Sequence, residues 1–162
     1  MWSICCWRPV PIRPALTNIA TPLHHALRGN HLHVANRLIE AGAPERVLGP
    51  SIEALISDAD TAHGKQIARG CEICHGVPSD DRATGTTAPN LWAIYGQPAA
   101  SDPEFDYSVH LKNAELTWDA ETLNHYLYSP YQFLPGTSKI MFGITSDPDR
   151  AALIAYLATL TD

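Results

Sequence analysis

Residues 71–75 read Cys-Glu-Ile-Cys-His, and no other feature constrains the chain as much. On a helix, positions three apart share one side, so Cys71 and Cys74 offer two thiols a single turn apart with the His75 imidazole beside them. Three chemistries use such a run. Each thiol can form a thioether to a haem vinyl group while the histidine reaches the iron. The thiols can instead act as a redox pair, which calls for a strand–helix–strand setting, or as half of a zinc site, which calls for a second Cys or His pair. The plain alternative is two packed thiols beside a surface histidine. The other cysteines, Cys5 and Cys6, are adjacent and distant, which suits neither a disulfide framework nor a four-thiolate zinc site.

The 162 residues allow a small domain of about 100 residues with a further segment attached. With 45% hydrophobic and 17% charged residues, the chain can bury a core and does not read as disordered. The net charge of −6 is uneven, since residues 1–50 sum to +3 and residues 51–162 to −9. The acidic second part argues against nucleic acid and for partners with a basic face. No apolar run approaches the ~20 residues of a transmembrane helix, and Arg8, Pro9, Pro11 and Pro14 break up the start before an export signal can form.

Helix signals recur and strand signals do not. Ser146, with Asp149 three residues on and Pro148 in the first turn, opens a helix whose Leu153, Ile154, Leu157 and Leu160 form an apolar stripe. Thr117 or Asp119 caps another, with Ala120, Leu123 and Leu127 on one face and Pro130 as its stop. A helix from about Ser51 or Asp58 to Arg69 is expected to be interrupted near Gly64, and residues 76–90, rich in Gly, Pro, Ser, Thr and Asp, are expected to be loop. No run alternates with period two for long, so the fold class is all-α.

Residues 21–43, TPLHHALRGNHLHVANRLIEAGA, resemble one ankyrin repeat. Thr21 can cap a first short helix with Pro22 at its first position, Gly29 ends it, and a second helix runs through Leu38 and Ile39. One repeat cannot bury its apolar face alone. The expectation is therefore the last repeat of an array whose earlier copies precede Met1, with a segment that leans on the second domain as the alternative. The divisions are 1–20, unassigned; 21–43, the ankyrin-like repeat; 44–52, a linker containing Pro44, Gly49 and Pro50; and 53–162, the second domain.

From residue 63 onward the chain resembles the small class I cytochromes c of mitochondria and proteobacteria. The matching pieces are GKQIARGCEICHG, APNLWAIYGQ, FDYS, LTWDAETLNHYLYSP, PGTSKIMFGI and DRAALIAYLATL, in the family's order. The resemblance implies N- and C-terminal helices crossing around one covalent haem c. Cys71 and Cys74 would hold the porphyrin, and His75 would ligate the iron. The Pro89 carbonyl would accept a hydrogen bond from the far ring nitrogen of His75, Tyr107 and Trp118 would donate to a haem propionate, and Tyr126 would line the distal side. Met141 lies where the family places its sulfur ligand.

Several positions depart from the family. In PGTSKIM, Met141 comes six residues after Pro135 and Lys139 four after it, so Met141 is expected to ligate from a bulged loop, with Lys139 the competing donor. Ala88 stands for a usual glycine and Gln97 for a usual arginine. The family's glycine and aromatic fall on His63 and Ile67, with Gly64 one place late, so Ile67 should take the aromatic's role in a looser helix crossing. His24, His25, His31 and His33 belong to the repeat, and His110 and His125 are expected to face solvent.

The function implied is electron transfer without substrate chemistry, through a haem edge near Cys71 and Cys74 to redox proteins offering a basic face. A peroxidase would need an open sixth position, which Met141 would fill. Two rivals are a cytochrome subunit of a larger dehydrogenase and a protein-binding module recruiting through the ankyrin-like segment. Haem attachment to such a motif implies the periplasm or the mitochondrial intermembrane space. With no export signal visible, the true N-terminus is expected upstream of Met1.

Overall fold

The computed structural model describes residues 22–43, 48–76, 78, 87–137 and 143–160. Its elements are helices: α1 (Pro22–Arg28), α2 (Leu32–Glu40), α3 (Glu53–Ile56), α4 (Thr61–His75), α5 (Val109–Lys112), α6 (Ala120–Tyr128), α7 (Pro130–Phe133) and α8 (Asp147–Ala158). Among the described residues the only β pairing is an isolated bridge, Pro98 to Thr117.

The caps follow the polar residues. Asp60 accepts from the backbone N–H groups of Ala62 and His63, Asp119 from Thr122 and Ser146 from Asp149. Pro130 does end α6, and it also serves as the first residue of α7. The expected first helix of the second domain is two helices separated at residues 57–60, and Gly64 does not interrupt the second of them. Instead α4 continues past Arg69 through the whole of CEICH.

The core is built where α4 crosses α8. Ala68, Trp118, Leu123, Tyr126, Leu127, Ala151, Leu153, Ile154, Leu157 and Leu160 are buried together. Gly64 sits at the crossing, where a Cβ would lie 2.0 Å from the Ala152 carbonyl oxygen and 2.8 Å from the Tyr156 Cβ. The missing side chain lets two backbones touch, so the contact is close rather than loose. Ile67 packs partly buried against this core, but the residue four after the glycine is Ala68, 1% exposed. The last part of the expected linker is also packed: Ile52 belongs to the core, and the Pro50 carbonyl accepts from Asn124 Nδ2 at 2.9 Å.

His63 Nε2 donates to Asp149 Oδ1 at 2.9 Å, tying the starts of α4 and α8 together. This bond holds the Asp149 carboxyl below its ordinary value of 3.8. A depressed carboxyl contributes stability above its unfolded pKa and loses it as pH falls through the folded one. Both side chains are nearly half exposed, so the contribution stays below about 1 kcal/mol. Asp149→Asn is expected to lower stability by no more than about 1 kcal/mol at pH 7, a loss that shrinks as acid protonates the carboxyl below its ordinary value of 3.8, as read by urea midpoints across pH.

The N-terminal hairpin has its own small core. Leu23, Ala26, Leu27 and Ala35 bury themselves with Tyr131 of α7, and the Arg28 guanidinium lies 5.9 Å from the Tyr131 ring centre. Gly42, at φ +93°, closes α2: its N–H bonds to Ile39 and that of Ala43 to Leu38, the pattern of a helix ended by a left-handed residue. The hairpin therefore leans on the second domain. Thr21, the expected cap of α1, lies outside the described residues.

Candidate functional site

The site begins at the C-terminal end of α4. Cys71 is half-buried, Cys74 exposed, and both sulfurs lie on one side of the helix. Ile73 between them is 77% exposed. Gly76, at φ +68°, turns the chain out of the helix. The last carbonyls of a helix lack partners within it. That of Cys74 is satisfied by the chain returning from residue 87, with Thr87 N–H at 3.3 Å and Ala88 N–H at 3.1 Å.

This return places the Pro89 carbonyl 2.6 Å from His75 Nδ1. A carbonyl only accepts, so Nδ1 carries the proton and donates, which leaves the lone pair of the neutral ring on Nε2. A partner of this kind fixes the tautomer and orientation of a metal-ligating histidine and raises its basicity. The donor set thus suits a porphyrin held by two thioethers with an imidazole toward its iron. Beyond Pro89, Asn90 Oδ1 accepts from Trp92 N–H at 2.8 Å and Ala93 N–H bonds to the Leu160 carbonyl at 2.7 Å, joining this loop to the end of α8.

A second group of residues gathers on α6. Trp118 and Tyr126 pack with ring centres 4.9 Å apart, and Phe133 meets Tyr126 edge-on at 6.2 Å. Trp118 is set by backbone bonds with Gly96 and Gln97. The buried Tyr126 hydroxyl bonds to the Thr137 hydroxyl at 3.1 Å. Burial pushes its pKa up to about 12, so the phenol stays protonated and can donate across the physiological range. Tyr107 packs edge-on against Phe105 with ring centres 4.8 Å apart, and burial raises its pKa as well.

The structure thus brings His75 to Pro89 and Trp118 to Tyr126. Met141 and Lys139 lie outside the described residues. Gln97 is exposed, and Ala88 serves through its backbone N–H. The expectation for His125 and His110 is corrected. The His125 side chain is only 14% exposed, with its ring 6.1 Å from Phe133 and its Nδ1 buried without a partner among the described residues. Its place on α6 beside Tyr126 turns it toward α7. His110 is half-buried against Gly136, whose φ of +82° brings the Pro135–Gly136 turn onto the imidazole.

Thr137 and Arg150 were not legible as site residues. Thr137 had no signal beyond following Pro-Gly. Arg150 had one, since it stands three, four and seven residues before Leu153, Ile154 and Leu157, on the buried stripe of α8.

The Cytochrome c family model matches residues 61–161. The chain is 41% identical over 101 residues to cytochrome c2 of Rhodomicrobium vannielii, covering 62% of this chain and 78% of that one. It is 37% identical over 104 residues to cytochrome c of Euglena viridis, covering 64% and 99%. Among solved structures, cytochrome cH from Methylobacterium extorquens superposes with a TM-score of 0.56 at 30% identity, over 62% of this chain and 99% of that one.

Proposed function

Because the chain belongs to the cytochrome c family, we propose that it carries one covalent haem c and passes single electrons between redox partners, with no substrate chemistry of its own. Cys71 and Cys74 would hold the porphyrin as thioethers, and His75 and Met141 would ligate its iron, with Lys139 the competing donor. The haem, when bound, supplies an iron that cycles between ferrous and ferric states. The observation that carries this reading is the 2.6 Å bond from His75 Nδ1 to the Pro89 carbonyl, which puts the ring proton on Nδ1 and leaves Nε2 as the nitrogen suited to bind a metal.

The protein's own residues bind, orient and tune the cofactor. Pro89 sets the basicity of His75. Trp118 and Tyr107 would donate to a haem propionate, and Tyr126, kept protonated by burial and held by Thr137, would face the cofactor. A thioether opposite a histidine raises the potential and fills the sixth position. Exposed Ile73 and Cys74 mark the edge at which electrons leave. The charge of −9 on residues 51–162 favours a basic docking face, and association with it slows as ionic strength rises.

The oxidised protein is expected to show the weak sulfur–iron band at about 695 nm, and Met141→Ala to abolish it and lower the potential by on the order of 100 mV or more. Voltammetry and ferric absorption spectra of both proteins test this. A wild-type spectrum without the band refutes the Met141 assignment.

Assembly of such a haem places the chain in the periplasm or the mitochondrial intermembrane space. No helix among the described residues is long and apolar enough to cross a membrane. The α1–α2 hairpin is read as a single ankyrin-like repeat, supported by the TPLHHA wording and the glycine-closed helix pair.

A further inference from the structure

We propose that Arg150 is a positioning residue for the distal ligand: through the Ile144 carbonyl it fixes the downstream end of the segment that carries Met141. This rests on the reading of Met141 as the sixth ligand.

Five residues separate Thr137 from Gly143, and both flanks are fastened to α6. Upstream, the Thr137 hydroxyl bonds to Tyr126. Downstream, Gly143 runs so close to Tyr128 that a Cβ would lie 1.7 Å from its carbonyl oxygen, and Ile144 N–H bonds to the Leu127 carbonyl at 2.8 Å. These contacts tie both flanks to α6. The downstream flank is tied to α8 through Arg150.

Arg150 is fully buried, and its fork reaches three elements. Nε donates to Asn124 Oδ1 on α6 at 2.8 Å, Nη1 to the Ile144 carbonyl at 2.9 Å, and Nη2 to Asp147 Oδ1 in the first turn of α8 at 2.5 Å. The guanidinium also stacks 4.8 Å from the Tyr128 ring centre, and Asn124 is itself held by its bond to the Pro50 carbonyl. For stability alone, an apolar side chain would serve this stripe as well, because burying a charge offsets most of what the pairing contributes. What the planar fork adds is direction. One rigid group sets the distance of Ile144 from two helices at once, and Met141 lies three residues before Ile144.

The test uses the full-length holoprotein. The pH at which the ferric band at about 695 nm is half lost is measured for the wild type, Arg150→Lys, Tyr128→Leu and, as a control at the α4–α8 crossing, Ala68→Gly. Lysine keeps the charge but cannot satisfy three separated acceptors. Its midpoint is expected to fall by at least about one pH unit, a tenfold gain for the form without sulfur ligation. Tyr128→Leu, which leaves the fork's three acceptors in place, should shift it in the same direction by less and serves if the lysine variant does not fold. Ala68→Gly lowers thermal stability and should keep the wild-type midpoint. Equal shifts in the control and the Arg150 or Tyr128 variants overturn the proposal, as does an unchanged midpoint in those variants. A wild-type protein lacking the band overturns the Met141 reading itself, a distinguishable result.

Discussion

Gly64→Val is expected to destabilise the protein by about 3 kcal/mol and to lower its Tm by about 10 °C. The new Cβ would meet the Ala152 carbonyl oxygen at 2.0 Å and its carbon at 2.6 Å. Both belong to a helix backbone, which has no rotamer through which to yield. α4 and α8 must separate, and the buried Ala68, Leu153 and Ile154 lose their contacts with them. Gly64→Ala makes the same collision but gains about 1 kcal/mol in helix propensity, so its loss should be nearer 2 kcal/mol. Gly70 lies in the same helix with nothing within 4 Å of an added Cβ. Gly70→Ala is therefore expected to be stabilising by up to about 1 kcal/mol. Thermal melts of the two alanine variants should move in opposite directions; a loss at both sites would mean that packing at the crossing is not what singles out Gly64.

The pair shows which information is local to the chain. A glycine reads the same at positions 64 and 70, and only the helix packed across it separates them. Caps and stops are written in a few adjacent residues, which is why Ser146, Asp119, Pro130 and Gly29 announced their elements from sequence. The all-α class followed from the same signals, and the family's order of motifs supplied the crossing of the first and last helices. The site was legible in the same measure. Cys71, Cys74 and His75 are contiguous, and the link to Pro89 came from resemblance, since no local rule joins residues fourteen apart. Arg150, Thr137 and Tyr131 act through partners on other elements. Nothing in the adjacent residues names those partners, which come together only when α6, α7 and α8 are assembled.

Replacing both Cys71 and Cys74 by alanine is expected to reduce covalently bound haem to about 1% of the wild type or less, because no other thiol among the described residues lies on that side of α4. Either single variant should retain one thioether and less total haem. His75→Ala should act differently, removing the axial nitrogen and the hydrogen bond to Pro89 while leaving both thiols. Haem-stained gels and intact-mass spectra separate these results. Attachment that survives the double alanine variant would place the thioethers elsewhere.

The claim beneath all of this is that the chain carries a haem c on CEICH. A pyridine haemochrome spectrum with the intact mass, on protein expressed with haem-maturation machinery, addresses it most directly. One haem per chain is expected, with the spectrum of two thioether links and a mass that organic extraction does not reduce. Protein at apo mass, or haem that extracts freely, would contradict it.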